Sequence, residues 1–177
     1  MNRDIQEILI SEEELRKAVT EVGERISKDF EGMDPIFIGV LKGSFIFMAD
    51  LMRSVNTKCS VDFMAVSSYS GTSSTGAVKI TKDLNEDIEG RHIIIVEDIL
   101  DSGVTLKYLT NYLQVRKPAS ISIVTLMDKP ARRKTDVFAD YSCFEVPDAF
   151  VVGYGLDYNE RYRNLPYIGV LKPEIYS

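Results

Sequence analysis

Between Arg91 and Leu106 the chain reads R-H-I-I-I-V-E-D-I-L-D-S-G-V-T-L, with three carboxylates, Glu97, Asp98 and Asp101, followed at once by Ser102, Gly103, Val104 and Thr105. Small hydroxyl residues and a glycine ahead of a helix make an anion cradle. The first backbone N–H groups of a helix lack internal partners and carry the positive end of its dipole. Bare carboxylates repel a phosphate, so these acids make sense only if they hold another part of the ligand, sugar hydroxyls or a neutralising cation. Cradle and acids together point to a phosphorylated sugar. A helix cap would use one of these residues, whereas five polar groups converge here. The other phosphate-binding patterns, G-x-x-x-x-G-K-[ST] and a G-x-G-x-x-G following a strand, do not occur.

Positioning such a turn requires a strand before it and a helix after it. Ile93-Ile94-Ile95-Val96 is an unbroken β-branched run, suited to a strand buried on both faces of a parallel sheet and predicted to stop at Glu97-Asp98. A helix is predicted from Leu106 to Gln114. A second unit of the same kind, Ile36 to Leu41, then Lys42-Gly43-Ser44, then an apolar helix from Phe45 to about Val55, puts its turn on the same sheet edge, where ligands of open parallel sheets sit. Upstream, Ser11-Glu12-Glu13-Glu14 is a capping box, and Leu15, Ala18, Val19, Val22, Ile26 and Phe30 recur at helical spacing. Cys59 to Val66 alternates as a half-buried strand. The uncharged run Ser67 to Gly76 is read as a mobile loop, and with the strand-like Val78 to Thr81 it makes a long hairpin. Ser120 to Met127 is a further strand, broken at Asp128-Lys129-Pro130 so that Lys129 emerges near the same edge. Val137 to Pro147 is read as a weaker strand and turn.

A chain of 177 residues is one domain of ordinary size, with a real core. Its net charge of -6 argues against a nucleic-acid surface. No window approaches eighteen apolar residues, so no membrane span is expected. Cys59 and Cys143 lie far apart and outside any C-x-x-C, which suits a reduced, cytoplasmic protein. His92, the only histidine, stands at a strand start and is read as structural or surface, leaving acid-base work to carboxylates and lysines.

V-E-D-I-L-D-S-G-V-T resembles the phosphoribosyl-pyrophosphate loop of the phosphoribosyltransferases. Leu41-Lys42-Gly43-Ser44 looks like that family's pyrophosphate loop, the hairpin like its lid, and Phe150-Val151-Val152-Gly153-Tyr154-Gly155-Leu156-Asp157-Tyr158-Asn159-Glu160-Arg161-Tyr162-Arg163 like the purine-binding hood of its hypoxanthine-guanine members. The four motifs stand in the family's order over nearly the whole chain. Gly155 replaces an alanine frequent in relatives, a change read as carrying little chemical weight. The resemblance implies an α/β type I phosphoribosyltransferase fold, with a mainly parallel central sheet flanked by helices. It implies one domain over 1–177, a flap at about 67–82, and a small C-terminal hood at about 145–177 that includes part of the N-terminus.

The activity it implies is purine salvage, transfer of the phosphoribosyl group from phosphoribosyl pyrophosphate to N9 of hypoxanthine or guanine, with Mg2+ as cofactor. Asp101 is then the catalytic base. Glu97 and Asp98 hold ribose hydroxyls and magnesium-bound waters, with Asp157 a second metal position. Asp101 and residues Ser102, Gly103, Val104 and Thr105 surround the 5′-phosphate. Lys42, Gly43 and Arg163 take the pyrophosphate, and the Leu41–Lys42 peptide is cis. Lys129, Phe150, Val151 and Asp157 form the purine pocket, and Ser68 and Tyr69 are the flap's reacting end. Fold analogy suggests a homo-oligomer, dimer or tetramer. Two alternatives share the fold: a non-catalytic regulator sensing phosphoribosyl pyrophosphate or purines, and an enzyme for another base.

Overall fold

Strand β5 (His92–Leu100) is the middle of the molecule, and its unbroken apolar run is explained by its two faces. Ile94 and Val96 point into one apolar cluster, Ile93 and Ile95 into another. Period-two alternation therefore feeds two cores at once, so every residue of the run has to be apolar. The computed structural model describes the chain outside residues 69–77; Tyr69 and most of the uncharged run lie outside the described residues, as does the side chain of Ser68.

Around β5 a six-stranded sheet runs in the order β4-β3-β2-β5-β6-β7, with β2 (Ile36–Leu41), β3 (Ser60–Ser68), β4 (Val78–Lys82), β6 (Ser120–Asp128) and β7 (Tyr141–Glu145). All neighbours are parallel except β4, which pairs antiparallel with β3. Helices α1 (Glu12–Asp29) and α2 (Phe45–Ser54) supply one core, packing Leu15, Val19, Val22, Ile26, Phe47 and Leu51 against Phe37 and Ile94. Helix α3 (Val104–Gln114) supplies the other through Leu106, Leu109 and Leu113. The capping box at Ser11 forms both bonds, Glu14 N–H to Ser11 Oγ at 3.2 Å and Ser11 N–H to Glu14 Oε2 at 2.8 Å.

A second sheet, in the order β1-β9-β8, joins β1 (Ile5–Ile10) near the start of the chain to β8 (Val151–Val152) and β9 (Ile168–Leu171), all antiparallel. A single turn of helix, α4 (Pro173–Tyr176), follows. No described helix is long and apolar enough to cross a membrane. His92 bonds Ser120 Oγ through Nδ1 at 2.7 Å and meets the edge of Phe30, a structural position. Cys59 and Cys143 are both free.

Three boundaries depart from the sequence reading. β5 does not stop at Val96: pairing with β2 ends there, but pairing with β6 continues through Glu97↔Thr125, Ile99↔Met127 and Leu100↔Asp128. The acids therefore stand inside a strand that outruns its neighbour. Helix α3 begins at Val104, two residues early, because Gly103 takes φ +80 and turns the chain directly into the helix. Within 137–147 only Tyr141–Glu145 is strand.

Candidate active site

Where β5 runs past the end of β2, the turn Lys42-Gly43-Ser44 folds over the acids. The peptide between Leu41 and Lys42 is cis. Ser44 is buried and donates Oγ–H to the Val40 carbonyl at 2.6 Å, tying the turn back to its strand. A Cβ built on Gly43 would fall inside the Asp98 carboxylate, so the missing side chain is the space that Asp98 occupies. Each acid accepts a nearby backbone N–H: Asp98 N to Glu97 Oε1 at 3.1 Å, Ile99 N to Asp98 Oδ1 at 2.7 Å, and Ser102 N to Asp101 Oδ1 at 2.6 Å. These bonds aim the carboxyl groups.

Two clefts open at this edge. The first, about 440 Å³, is polar and is lined by Lys42, Gly43, Glu97, Asp98, Asp101, Gly103, Thr105, Asp157 and Arg163 together with Val66 from β3. The second, about 380 Å³, is lined by Lys129, Phe150, Val151 and Leu156, with Arg132 and Asp148 at its rim. Ile99 and Asp101 belong to both. Of the residues expected in the loop, Ser102 and Val104 line neither cleft, and Val104 is exposed. The Ser102 hydroxyl accepts from Val104 N–H at 3.4 Å, which keeps it at the start of α3 beside the unpartnered backbone N–H groups. The loop is braced from behind: Arg133 Nε donates to the Asp101 carbonyl at 3.1 Å, Lys134 N–H to the Ser102 carbonyl at 2.9 Å, and Arg133 is ion-paired to Asp128.

Burial, then the adjacent Asp98 carboxylate, pushes the Glu97 carboxyl well above the usual carboxylate range. Burial raises Asp98 too, opposed by its hydrogen bond with Glu97 and by Arg163. Arg163 donates to the Gly155 carbonyl at 2.8 Å and pairs with Asp157 at 3.2 Å and Glu160 at 3.3 Å, while its buried Nε has no partner among the described residues. Lys42 pairs with Glu160 at 3.0 Å. Lys129 is buried, donates Nζ–H to the Ala149 carbonyl at 2.7 Å, and is pushed below the ordinary lysine range by burial.

The hood loop that carries Arg163 is unusual in its backbone. Gly153, Tyr154, Gly155, Asn159, Glu160 and Tyr162 all have positive φ, a concentration that marks a loop held by its surroundings. Gly155 overturns the sequence reading. At φ +104, with a Cβ position that would overlap the Gly43 carbonyl oxygen, it is where hood and pyrophosphate-type turn touch backbone to backbone. An alanine does not fit this arrangement, so the residue carries more weight than its size suggests.

Against known families, residues 6–159 match the phosphoribosyl transferase domain. The chain belongs to that family. It is 58% identical, over all of its length and 99% of the relative's, to the hypoxanthine-guanine phosphoribosyltransferase of Bacillus subtilis. It is 56% identical to the bifunctional protein TilS/HprT of Listeria monocytogenes, of whose length it spans 28%. A crystal structure of a hypoxanthine phosphoribosyltransferase from Staphylococcus aureus superposes with a TM-score of 0.96 at 53% identity, covering 100% of this chain and 97% of that one.

Several residues of the site are given no individual role by the sequence reading: Ile99, Leu156 and Glu160, which stand inside its motifs, and Arg132 and Asp148, which stand outside them. Glu160 had a signal, since Asp157, Glu160 and Arg163 recur every third residue in one turn-rich stretch. Ile99 had only its place between two acids.

Proposed function

We propose that the chain is a purine salvage enzyme, a hypoxanthine (guanine) phosphoribosyltransferase that forms a nucleoside monophosphate and pyrophosphate. The observation that carries this is the seam between the clefts: a polar cleft built for a phosphorylated sugar and a base-sized cleft share Asp101 and Ile99. A group transfer between two ligands needs such a junction, because the reacting atoms must meet at one wall.

In this reading the purine lies on Phe150 beside Ile99, with its 6-oxo group toward Lys129 Nζ and its edge toward the backbone of Val151; Asp157, expected in this pocket, lines the polar cleft instead. N9 attacks the anomeric carbon as the bond to pyrophosphate breaks, and the proton on N7 passes to the Asp101 carboxylate. Lys42, the N–H of Gly43 and Arg163 receive the leaving pyrophosphate, which would draw Lys42 and Arg163 from Glu160 and satisfy the buried Nε. Thr105 and the helix start hold the 5′-phosphate. The β3–β4 hairpin, with Val66 on the polar cleft, is the lid carrying Ser68 and Tyr69.

The donor set fits Mg2+. No group of three or more His, Cys, Asp or Glu among the described residues is placed as a cage, but magnesium is usually held by one or two carboxylates plus substrate phosphates and water. Glu97 and Asp98 are two such carboxylates, mutually repelling, and Asp157 lines the same cleft. When bound, the ion would neutralise pyrophosphate and draw charge from the bond that breaks.

The unpaired thiols suit a cytoplasmic home, and fold-level analogy favours a homo-oligomer, dimer or tetramer. The decisive assay is pyrophosphate release from phosphoribosyl pyrophosphate with each free base. Release with hypoxanthine and guanine is expected; release with neither overturns the assignment.

A further inference from the structure

Phe150 is 40% exposed and belongs to no strand or helix, yet the purine reading above asks it to present a fixed aromatic face. Its backbone is held by one bond, from Leu171 N–H to its carbonyl at 2.9 Å, and that bond leaves the side-chain torsions free. The ring is held by two tyrosines. Tyr176 stacks on it at 4.7 Å between centroids and 16° between planes, and Tyr158 meets its edge at 5.6 Å and 85°. One face of Phe150 lines the base cleft; Tyr176 is not among the walls of that cleft, so it covers the opposite face.

The route by which Tyr176 reaches this place is built in. β9 ends at Leu171, Lys172 N–H bonds the Asp4 carbonyl at 2.9 Å, and Pro173 opens α4 with its φ already set for a helix. Ile175 anchors that single turn in the apolar cluster of Val152, Tyr162, Leu165 and Leu171. The next residue is delivered onto the back of Phe150.

We infer that Tyr176 is a positioning residue for the purine: by covering the rear face of Phe150 it holds the front face in the plane the base stacks on. This rests on reading the Phe150 cleft as the purine site. Without the backing, the ring at this exposure samples other rotamers, and the base must order it on binding. Aromatic pairs of this geometry and the ordering of one side chain each correspond to about two- to ten-fold in an equilibrium constant.

The test is the parent beside Tyr176→Ala and Tyr176→Phe, with KM for hypoxanthine, KM for phosphoribosyl pyrophosphate and kcat measured for each. Tyr176→Ala should raise the hypoxanthine KM about three- to ten-fold, with the phosphoribosyl pyrophosphate KM and kcat within about two-fold. Tyr176→Phe should restore parental values, because the stack uses the ring and not the hydroxyl. An unchanged hypoxanthine KM in Tyr176→Ala, an equal rise for both substrates, or failure of Tyr176→Phe to restore it overturns the inference. Failure of the parent to use hypoxanthine would instead remove the purine reading beneath it.

Discussion

Replacing Lys129 with Met or Gln separates what this residue does for the fold from what it does for the base. The side chain is buried with its ammonium 2.7 Å from the Ala149 carbonyl and 4.0 Å from Asp148. Lys129→Met leaves that carbonyl without its donor, a loss of about 1–3 kcal/mol. It also removes a charge whose burial already depresses its pKa, so the two effects oppose each other and stability should change by no more than about 1 kcal/mol. Catalysis should change far more. A charge-assisted hydrogen bond to the 6-oxo group contributes about 1.5–3 kcal/mol, so kcat/KM for hypoxanthine and guanine should fall about 10- to 150-fold. Adenine meets Lys129 amino group to ammonium, donor to donor, and a site built for one hydrogen-bonding pattern rejects the other by about 10⁴-fold. In Lys129→Gln, whose amide oxygen can accept, adenine should improve while hypoxanthine declines, and the ratio between them should shrink to about 10² or less. The assay is kcat/KM for the three bases on parent and both variants, with a thermal melt of each. The reasoning is refuted if the parent uses adenine as well as hypoxanthine, or if Lys129→Met keeps hypoxanthine kcat/KM within three-fold.

Asp101→Asn should lower kcat by about 10²–10⁴-fold with substrate affinities much less affected, as loss of a general base does; turnover within a few-fold of the parent would remove Asp101 from the proton transfer. Gly43→Ala should raise the KM for phosphoribosyl pyrophosphate about ten-fold and leave that for hypoxanthine unchanged. The added methyl falls on the Asp98 carboxylate and forces either the turn or the acid out of place. Equal KM values in parent and variant would show that the turn has slack. Excess chelator should abolish nucleotide formation and added magnesium restore it, since Glu97 and Asp98 otherwise face a polyanion; full activity in chelator contradicts the assigned role. Burial pushes the Cys143 thiol up to about 12, and Cys59 is raised less strongly. A raised thiol pKa means less thiolate at a given pH, so at pH 8 mass-spectrometric alkylation should label Cys59 first, with Cys143 reacting appreciably only as pH climbs toward its own value. Faster labelling of Cys143 would show that its strand opens to solvent.

The sequence by itself determined whatever depends on near neighbours. The capping box of Ser11 and Glu14 closes over three residues, so its pattern is its structure. The bounds of β2 and the face-sharing run of β5 follow from which side chains water rejects, a property of each residue. The acids and small residues between Glu97 and Thr105 announce an anion-binding turn because carboxylates, hydroxyls and a helix start are chemically incompatible with a plain core. Tertiary structure decided what depends on register between distant segments. β5 continues past Val96 because β6 goes on pairing with it after β2, whose Val40 and Leu41 stay paired with β3, has parted from it. Asp98 fills the space above Gly43, and Gly155 meets the Gly43 carbonyl, because two strand ends and the hood converge on one edge. Lys42 finds Glu160 across 118 residues, and Tyr176 meets Phe150 because β9 pairs with β8 and delivers the chain end beside it. Periodicity records which face a residue turns toward the core, but not which residue waits there; that is settled only when sheet order and register bring the two side chains within a few ångströms.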